Sequence, residues 1–309
     1  MPRLIRLCAV ILSALLGLIA ALPADSQERQ AVGVGRLFSN DFLGDGKDRW
    51  HATSYVVSAL SEPIISQTSP ATSGHIIEHR LSGKVVASAN LYAVAAGDRP
   101  YSGVLSYSHH RYLRNGDALN RIGIDVVVGP QAGVGQLQGW VHDGLTAPRP
   151  DLEAQLPNAI YPTLSGEVAK SFHLSRVELR PFAEVQLGVE TFARLGADVF
   201  ADAFFGQRDA EQMRLRDVTT GQLYNSASAL SGPDIEFMPG ADMARVWSSK
   251  YLPVSDGYMV EPARFRGRAG VQVSVPQADM FYGVTWLGPQ FENQPSDQVV
   301  GSLNVSLRF

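Results

Sequence analysis

The chain has 309 residues, 45% of them apolar, with 30 acidic against 26 basic residues and a formal net charge of −4. That composition excludes a disordered or collagen-like chain, and without a basic excess no nucleic-acid partner is expected. The single cysteine, Cys8, leaves everything after it without disulfides, thiolate metal sites or a Cys nucleophile, so any catalysis rests on oxygen and imidazole.

In chain order, the first element is a leader. Arg3 and Arg6 precede an apolar run over residues 7–22, followed by Pro23, Ala24 and Ser26, the layout of a secretory signal peptide cleaved after residue 26. The run is shorter than the ~20 residues that a bilayer core requires of a helix. Residues 27–309 are therefore expected to form a single exported domain, and a cysteine-free exported chain fits the envelope of a Gram-negative bacterium.

After the leader no apolar stretch approaches spanning length. Segments of about ten residues instead alternate with a period of two. Strands are expected near residues 31–39, 53–60, 84–94, 101–112 and 120–129; in the last, Ile122, Ile124, Val126 and Val128 oppose Arg121, Gly123 and Asp125. The rhythm then stops. Gly129-Pro130 opens a segment, residues 131–143, that reads as a short helix with Gln138 and His142 on one face, and Pro148, Pro150, Pro157 and Pro162 continue an irregular excursion. Alternation resumes at residues 182–191, 196–205, 258–266, 270–276, 280–286 and 302–309, ending on Phe309.

A soluble β-sandwich would alternate too. Three features select a membrane barrel: the leader, polar and charged residues recurring on the face that would otherwise be a soluble core, and the terminal aromatic. A closed barrel with an apolar exterior and a polar interior satisfies every backbone group in lipid. The expected fold is all-β: a transmembrane antiparallel β-barrel of about 12 strands, with the short helix in a long loop near the site.

Several motifs then resemble, in order, the lipid A 3′-O-deacylase family of outer-membrane barrels, the LpxR-like proteins. They are Asn40-Asp41 with Asp48-Arg49, Asp98-Arg99-Pro100-Tyr101-Ser102-Gly103, Gly129-Pro130 with Gln138 and His142, Gln155-Leu156, and the series Thr285, Gln290, Gly301, Phe309. The resemblance implies removal of the 3′-linked acyloxyacyl group of lipid A with Ca²⁺ as cofactor, at a site near the extracellular membrane boundary. It implies that Asn40 and Asp41 carry the calcium and active-site pair, that His142 is the catalytic base, and that Arg99, with Gln138, contacts substrate. The partners implied are lipopolysaccharide and outer-membrane lipid, and a monomer is expected.

The residues agree with that chemistry. An imidazole accepts a proton near neutral pH, and without a Cys or a G-x-S-x-G elbow an activated water is favoured over an acyl-enzyme. A hard cation on the oxygens of Asn40 and Asp41 can polarise an ester carbonyl. One departure stands out: Ala52 falls where the family carries a Thr, and Thr53 lies on the other strand face unless a bulge shifts the register. His75-Ile-Ile-Glu78-His79 matches a zinc pattern that works only on a helix, and Asp45 to Asp48 is half of a calcium loop; both read as structural. An outer-membrane phospholipase and a catalytically silent barrel remain open as other functions.

Overall fold

The computed structural model describes residues 29–47, 49–63, 75–90, 98–129, 155–202, 213–226, 234–275 and 277–307. Sixteen strands run in chain order: β1 (Arg29–Asn40), β2 (Thr53–Pro63), β3 (His75–Val86), β4 (Ser102–Asn115), β5 (Ala118–Gly129), β6 (Ala159–Lys170), β7 (Phe172–Leu174), β8 (Val177–Leu187), β9 (Glu190–Asp202), β10 (Arg214–Arg216), β11 (Leu223–Asn225), β12 (Asp234–Phe237), β13 (Gly240–Ser249), β14 (Ala263–Val275), β15 (Ala278–Leu287) and β16 (Gln298–Leu307). Each wall strand pairs antiparallel with its neighbours, and β16 returns to β1 with Asn40 opposite Gly301. β8 pairs with both β6 and β9, so the ring is continuous. The short β7 prolongs the line of β6, and β12 that of β13, which makes a closed barrel of 12 strands.

Closure at Phe38–Asn40 against Gly301–Leu303 joins the first and last strands, as crossing lipid with strands requires. Side-chain alternation then sorts the residues. Ile122 is 63% exposed on the outer wall while its neighbour Arg121 is 6% exposed inside. Leu303 and Val305 likewise face out, and Ser302 and Asn304 face in. The interior is held by ion pairs: Arg121 to Glu184 at 3.1 Å, Arg216 to Glu167 at 3.0 Å and to Asp198 at 2.8 Å, and Arg266 to Asp242 at 2.9 Å.

The lumen is filled from one end. β10 and β11 pair only with each other and lie inside the barrel, where Leu215 and Tyr224 pack against Leu37, Val56, Phe200 and Phe281. The wall leaves room for them: a Cβ on Gly35 would stand 2.9 Å from the side chains of both Leu215 and Tyr224. Above the hairpin turn, at Asp217–Thr219, a cavity of about 80 Å³ reaches Lys84, Glu190 and Tyr251.

Tight turns at 116–117 and 175–176 and the β14–β15 connection share one end with the start of β1 and the end of β16. The segments 41–52, 87–101, 130–158, 250–262 and 288–297 share the other. Outer-membrane barrels keep short turns at the periplasm and long loops outside, so the second end is extracellular. Exposed Tyr55, Trp247, Phe265 and Trp286 ring the wall near that end, as an aromatic girdle does.

Several expected elements shift. The strand expected at 84–94 is β3, His75–Val86, and the segments 258–266 and 270–276 merge into β14. The segment 182–191 covers the end of β8, a two-residue turn and the start of β9, with Gly188 at φ 147°. β6 and β13 were not expected at all. The expected signal peptide, the helix over 131–143 and Phe309 lie outside the described residues.

Candidate active site

β1 carries the Asn40-Asp41 pair to the extracellular rim, where the alternating backbone sends the two side chains to opposite faces. Asn40 is partly exposed and opposes Thr53 in the β1–β2 register. Its Nδ2 donates to Thr53 Oγ1 at 2.5 Å, and its Oδ1 accepts from the Phe42 N–H at 2.7 Å. Asp41 is fully buried; its Oδ2 accepts from the Arg49 N–H at 2.6 Å and from Gln298 Nε2 at 3.2 Å. The Asp41 carbonyl accepts from the Gly44 and Gly46 N–H groups, curling residues 41–46 into a tight turn. Gly44 lies flat against Val299, where a Cβ would collide with the Val299 carbonyl.

The register also settles the place of a hydroxyl. Pairing runs unbroken from Thr53 into β2, so no bulge intervenes, and Thr53 stands beside Asn40. Ala52 points inward into an apolar cluster with Val85, Ala87 and Tyr101.

Loop 41–52 is fixed from above by residues 288–299. Arg49 pairs with Asp45 at 2.8 Å, donates to Ser296 Oγ at 2.9 Å and lies 4.2 Å over the Trp50 ring. Trp50 adopts φ 46°, a left-handed conformation that costs a bulky residue on the order of 1–3 kcal/mol and persists only where packing enforces it. Here its ring is buried against Leu252 and Phe291, and its carbonyl accepts from Ala87 N–H at 2.7 Å.

Arg99, 1% exposed, enters from loop 87–101, where Asp98 accepts from the backbone N–H groups of Arg99 and Ala89. Its Nη1 donates to Gln290 Oε1 at 2.8 Å, which orients that amide and turns Gln290 Nε2 toward His51 Nε2. An amide N–H₂ only donates, so His51 Nε2 accepts and its proton sits on Nδ1. The imidazole is thereby neutral, in keeping with its pKa: withdrawal from water, then the nearby Arg99 and Lys84, hold it well below the usual histidine range. Burial and the neighbouring Arg264 bring Arg99 itself down to about 10, still cationic at neutral pH. The His51 backbone N–H donates to Gln298 Oε1 at 3.2 Å. A continuous path therefore runs from Asp41 through Gln298, His51 and Gln290 to Arg99.

Three of the motifs read in the sequence thus meet at one end of the barrel. A further one joins them, since Tyr101 forms a parallel bridge to Gln155 and its carbonyl accepts from the Leu156 N–H. His142, Gln138 and Asp48 lie outside the described residues. His51 and Gln298 were missed by sequence reasoning; the only signal was the placement of His51 directly before Ala52 and of Gln298 at the start of β16. The His75–His79 motif lies on a strand, with Glu78 buried inside and His79 exposed outside, and among the described residues no three His, Cys, Asp or Glu converge as a metal site.

The side-chain oxygens of Asn40 and Asp41 suit a hard cation such as Ca²⁺ in kind, but the two point to opposite faces and accept from the Phe42 N–H, the Arg49 N–H and Gln298 Nε2. A complete ligand set would also need oxygens from outside the described residues.

A closed antiparallel barrel with apolar walls, a polar, plugged lumen and a polar cluster at its extracellular rim defines an outer-membrane protein with an extracellular site. The family described as Outer membrane protein LpxR matches residues 8–206, and the chain belongs to that family. Among solved structures, LpxR from Salmonella typhimurium is similar at a TM-score of 0.70 and 15% identity, over 90% of this chain and 100% of that one. The beta domain of the Bordetella autotransporter BrkA matches at a TM-score of 0.46 and 10% identity, over 90% of this chain and 99% of that domain. No curated protein sequence matches the chain.

Proposed function

We propose that the protein is a Ca²⁺-dependent hydrolase of the 3′-linked acyloxyacyl ester of lipid A, acting as a monomer in the outer membrane of a Gram-negative bacterium. The observation that carries this reading is the convergence of Asp41, Arg99 and the motif residues Tyr101, Gln155 and Gln290 at the extracellular rim of a barrel of the LpxR family. That rim lies at the height of the leaflet that holds lipopolysaccharide.

In this mechanism His142 removes a proton from water, whose oxygen attacks the ester carbonyl carbon. The tetrahedral species then expels the sugar alkoxide, which takes the proton back from the imidazolium, and the fatty acid leaves. A Ca²⁺ held by Asp41 and Asn40 would polarise the carbonyl as a Lewis acid. Arg99, buried and cationic, presents positive charge to a phosphate of the substrate, with Gln138 as a further contact. Thr53 fixes the Asn40 amide, and Ala52, on the inward face, leaves that side of the site without the hydroxyl that a Thr there would supply.

The test uses the purified, folded barrel with lipid A in detergent, followed by mass spectrometry. Loss of one acyloxyacyl unit is expected, abolished by chelator and restored by Ca²⁺. Unchanged lipid A, or fatty acid released only from added phospholipid, overturns the reading.

A further inference from the structure

Leu37 and Ser39 point into the lumen, so alternation along β1 turns Phe38 and Asn40 to the outer face of the wall. The register partners of Asn40, Thr53 on β2 and Gly301 on β16, share that face. One step nearer the periplasm, Tyr55, Phe38, Leu303 and Tyr282 stand opposite one another across β2, β1, β16 and β15, all of them exposed on the outer wall. Three aromatic rings and a leucine therefore form a row directly beneath the Asn40–Thr53 pair.

The turn after Asn40 is fixed to the same face. The Phe42 N–H donates to Asn40 Oδ1 at 2.7 Å, and Tyr282 Oη, from the outer wall, donates to the Leu43 carbonyl at 2.9 Å. Gly301 leaves the space for this, since a Cβ on it would collide with Leu43. Asp45 ties the far side of the turn to β16: its N–H donates to the Val299 carbonyl at 3.2 Å, and its Oδ2 accepts from the Val299 N–H at 3.3 Å. On this anchored turn Phe42 is 72% exposed, the most exposed large apolar side chain among the described residues.

Height decides what meets that ring. Asn40 is level with Gly301 and, across the next pair, with Val284; Asp45 is bound at Val299, which is level with Trp286. The turn thus spans the levels between Tyr282 and Trp286, inside the aromatic girdle and not above it. A side chain held on the outer wall at that level faces acyl chains and the inner edge of the headgroups.

We propose that Phe42 is a binding residue for an acyl chain of a lipid in the outer leaflet. The chain lies down the wall over Phe38, Tyr55, Leu303 and Tyr282, and Phe42 closes over its upper end, which brings the ester at the head of the chain to the level of Asn40 and Thr53. Phe42 supplies apolar contact without a hydrogen bond, so it selects for the chain and not for the headgroup. The choice of lipid A as that lipid rests on the deacylase reading above; the placement of Phe42 in the acyl layer does not.

The experiment uses the full, folded barrel in two arms. Cys8 is the chain's one cysteine, so in a Cys8→Ser background a nitroxide on Phe42→Cys reports a single place. In phospholipid bilayers it is expected to collide more often with dissolved oxygen than with a water-soluble nickel chelate, as a label on the wall at Leu195→Cys does, and a label on the exposed Lys47→Cys to do the reverse. In the second arm lipid A binding is measured with chelator present: Phe42→Ser is expected to bind at least fivefold more weakly than wild type, and Phe42→Leu within twofold of it. A label at Phe42→Cys that meets the nickel chelate first overturns the proposal, and this arm stays decisive if Phe42→Ser misfolds. So does equal lipid A binding by wild type and Phe42→Ser, absence of binding by wild type, or an equal loss for the lipid A headgroup stripped of its acyl chains. Expected results in both arms with lipid A left intact in the deacylation assay would overturn the deacylase reading and leave the acyl-chain site standing.

Discussion

Asp41 and Arg99 are both buried at the rim, and neither is joined to the other by a direct salt bridge; two glutamines and a histidine link them. Gln290 is the hinge of that path, because one amide satisfies Arg99 and sets the tautomer of His51. Gln290→Ala strands a buried guanidinium donor, a loss of about 1.5–3 kcal/mol of local stability. Faster amide hydrogen exchange confined to residues 41–52 and 87–101 is the expected result. His51 gives the rim a pH dependence. Its folded pKa is depressed below the unfolded value near 6.5, so the unfolded state binds the proton first, and rim stability is lost as pH falls below about 6.5 toward the folded value. Protection factors of loop 41–52, corrected for the intrinsic exchange rate, should therefore fall as pH drops below about 6.5, and His51→Gln should flatten that dependence. For His142 the expectation concerns rate: His142→Ala and His142→Asn should each lose roughly two to four orders of magnitude in deacylation with the barrel intact. Activity within tenfold of wild type would falsify its role as base. That Asn40, Asp41 and Arg99 lie at one rim was legible in the sequence because short motifs mark them; the places of His51 and Gln298 were not, because a lone imidazole and a lone amide acquire meaning only from what the fold places beside them.

Strands were legible where one face is wholly apolar and the other polar, as in β5 and β16. They failed where a functional load interrupts the pattern. β3 carries Glu78, His79 and Arg80 in succession, so neither face reads as apolar, and the expected strand slid to 84–94. β6 contains Pro162, a residue that normally argues against a strand, here on the lipid-facing side opposite Val126. β13 places Asp242 inside and Arg245 outside within four residues. A two-residue turn at 188–189 preserves alternation and so fused β8 with β9. The lumenal hairpin was invisible for another reason: three-residue strands carry no period. Its attachment is testable. Arg216 joins the hairpin to Glu167 on β6 and Asp198 on β9, two strands apart in the wall, and it receives Arg80 Nη1 on its carbonyl at 3.1 Å. Arg216→Ala removes the nearest cation from Glu167, leaving Arg180 at 3.7 Å and Arg121 at 3.9 Å, while Asp198 keeps Arg268, so the loss falls below the about 3–5 kcal/mol typical of a buried charge left with no partner. A lowered temperature for the heat-induced mobility shift is expected; an unchanged one would mean that the hairpin contributes little to the fold.

At the scale of the molecule, closure was legible from composition and alternation together, since an exported chain with polar residues on every would-be core face has few folds open to it. The strand number followed only approximately from eleven readable segments, and the register that brings β16 to β1 could not be read at all. Closure with the hairpin β10–β11 packed in the lumen leaves the outer rim as the place for the proposed chemistry. The most direct measurement of that account is the mass spectrum of lipid A from Gram-negative cells expressing the wild type, Asp41→Ala or His142→Ala, each verified as a heat-modifiable outer-membrane band. Lipid A lacking one acyloxyacyl unit with the wild type, and intact lipid A with both variants, is the predicted result; equal lipid A profiles in all three, or deacylation persisting in both variants, would contradict it.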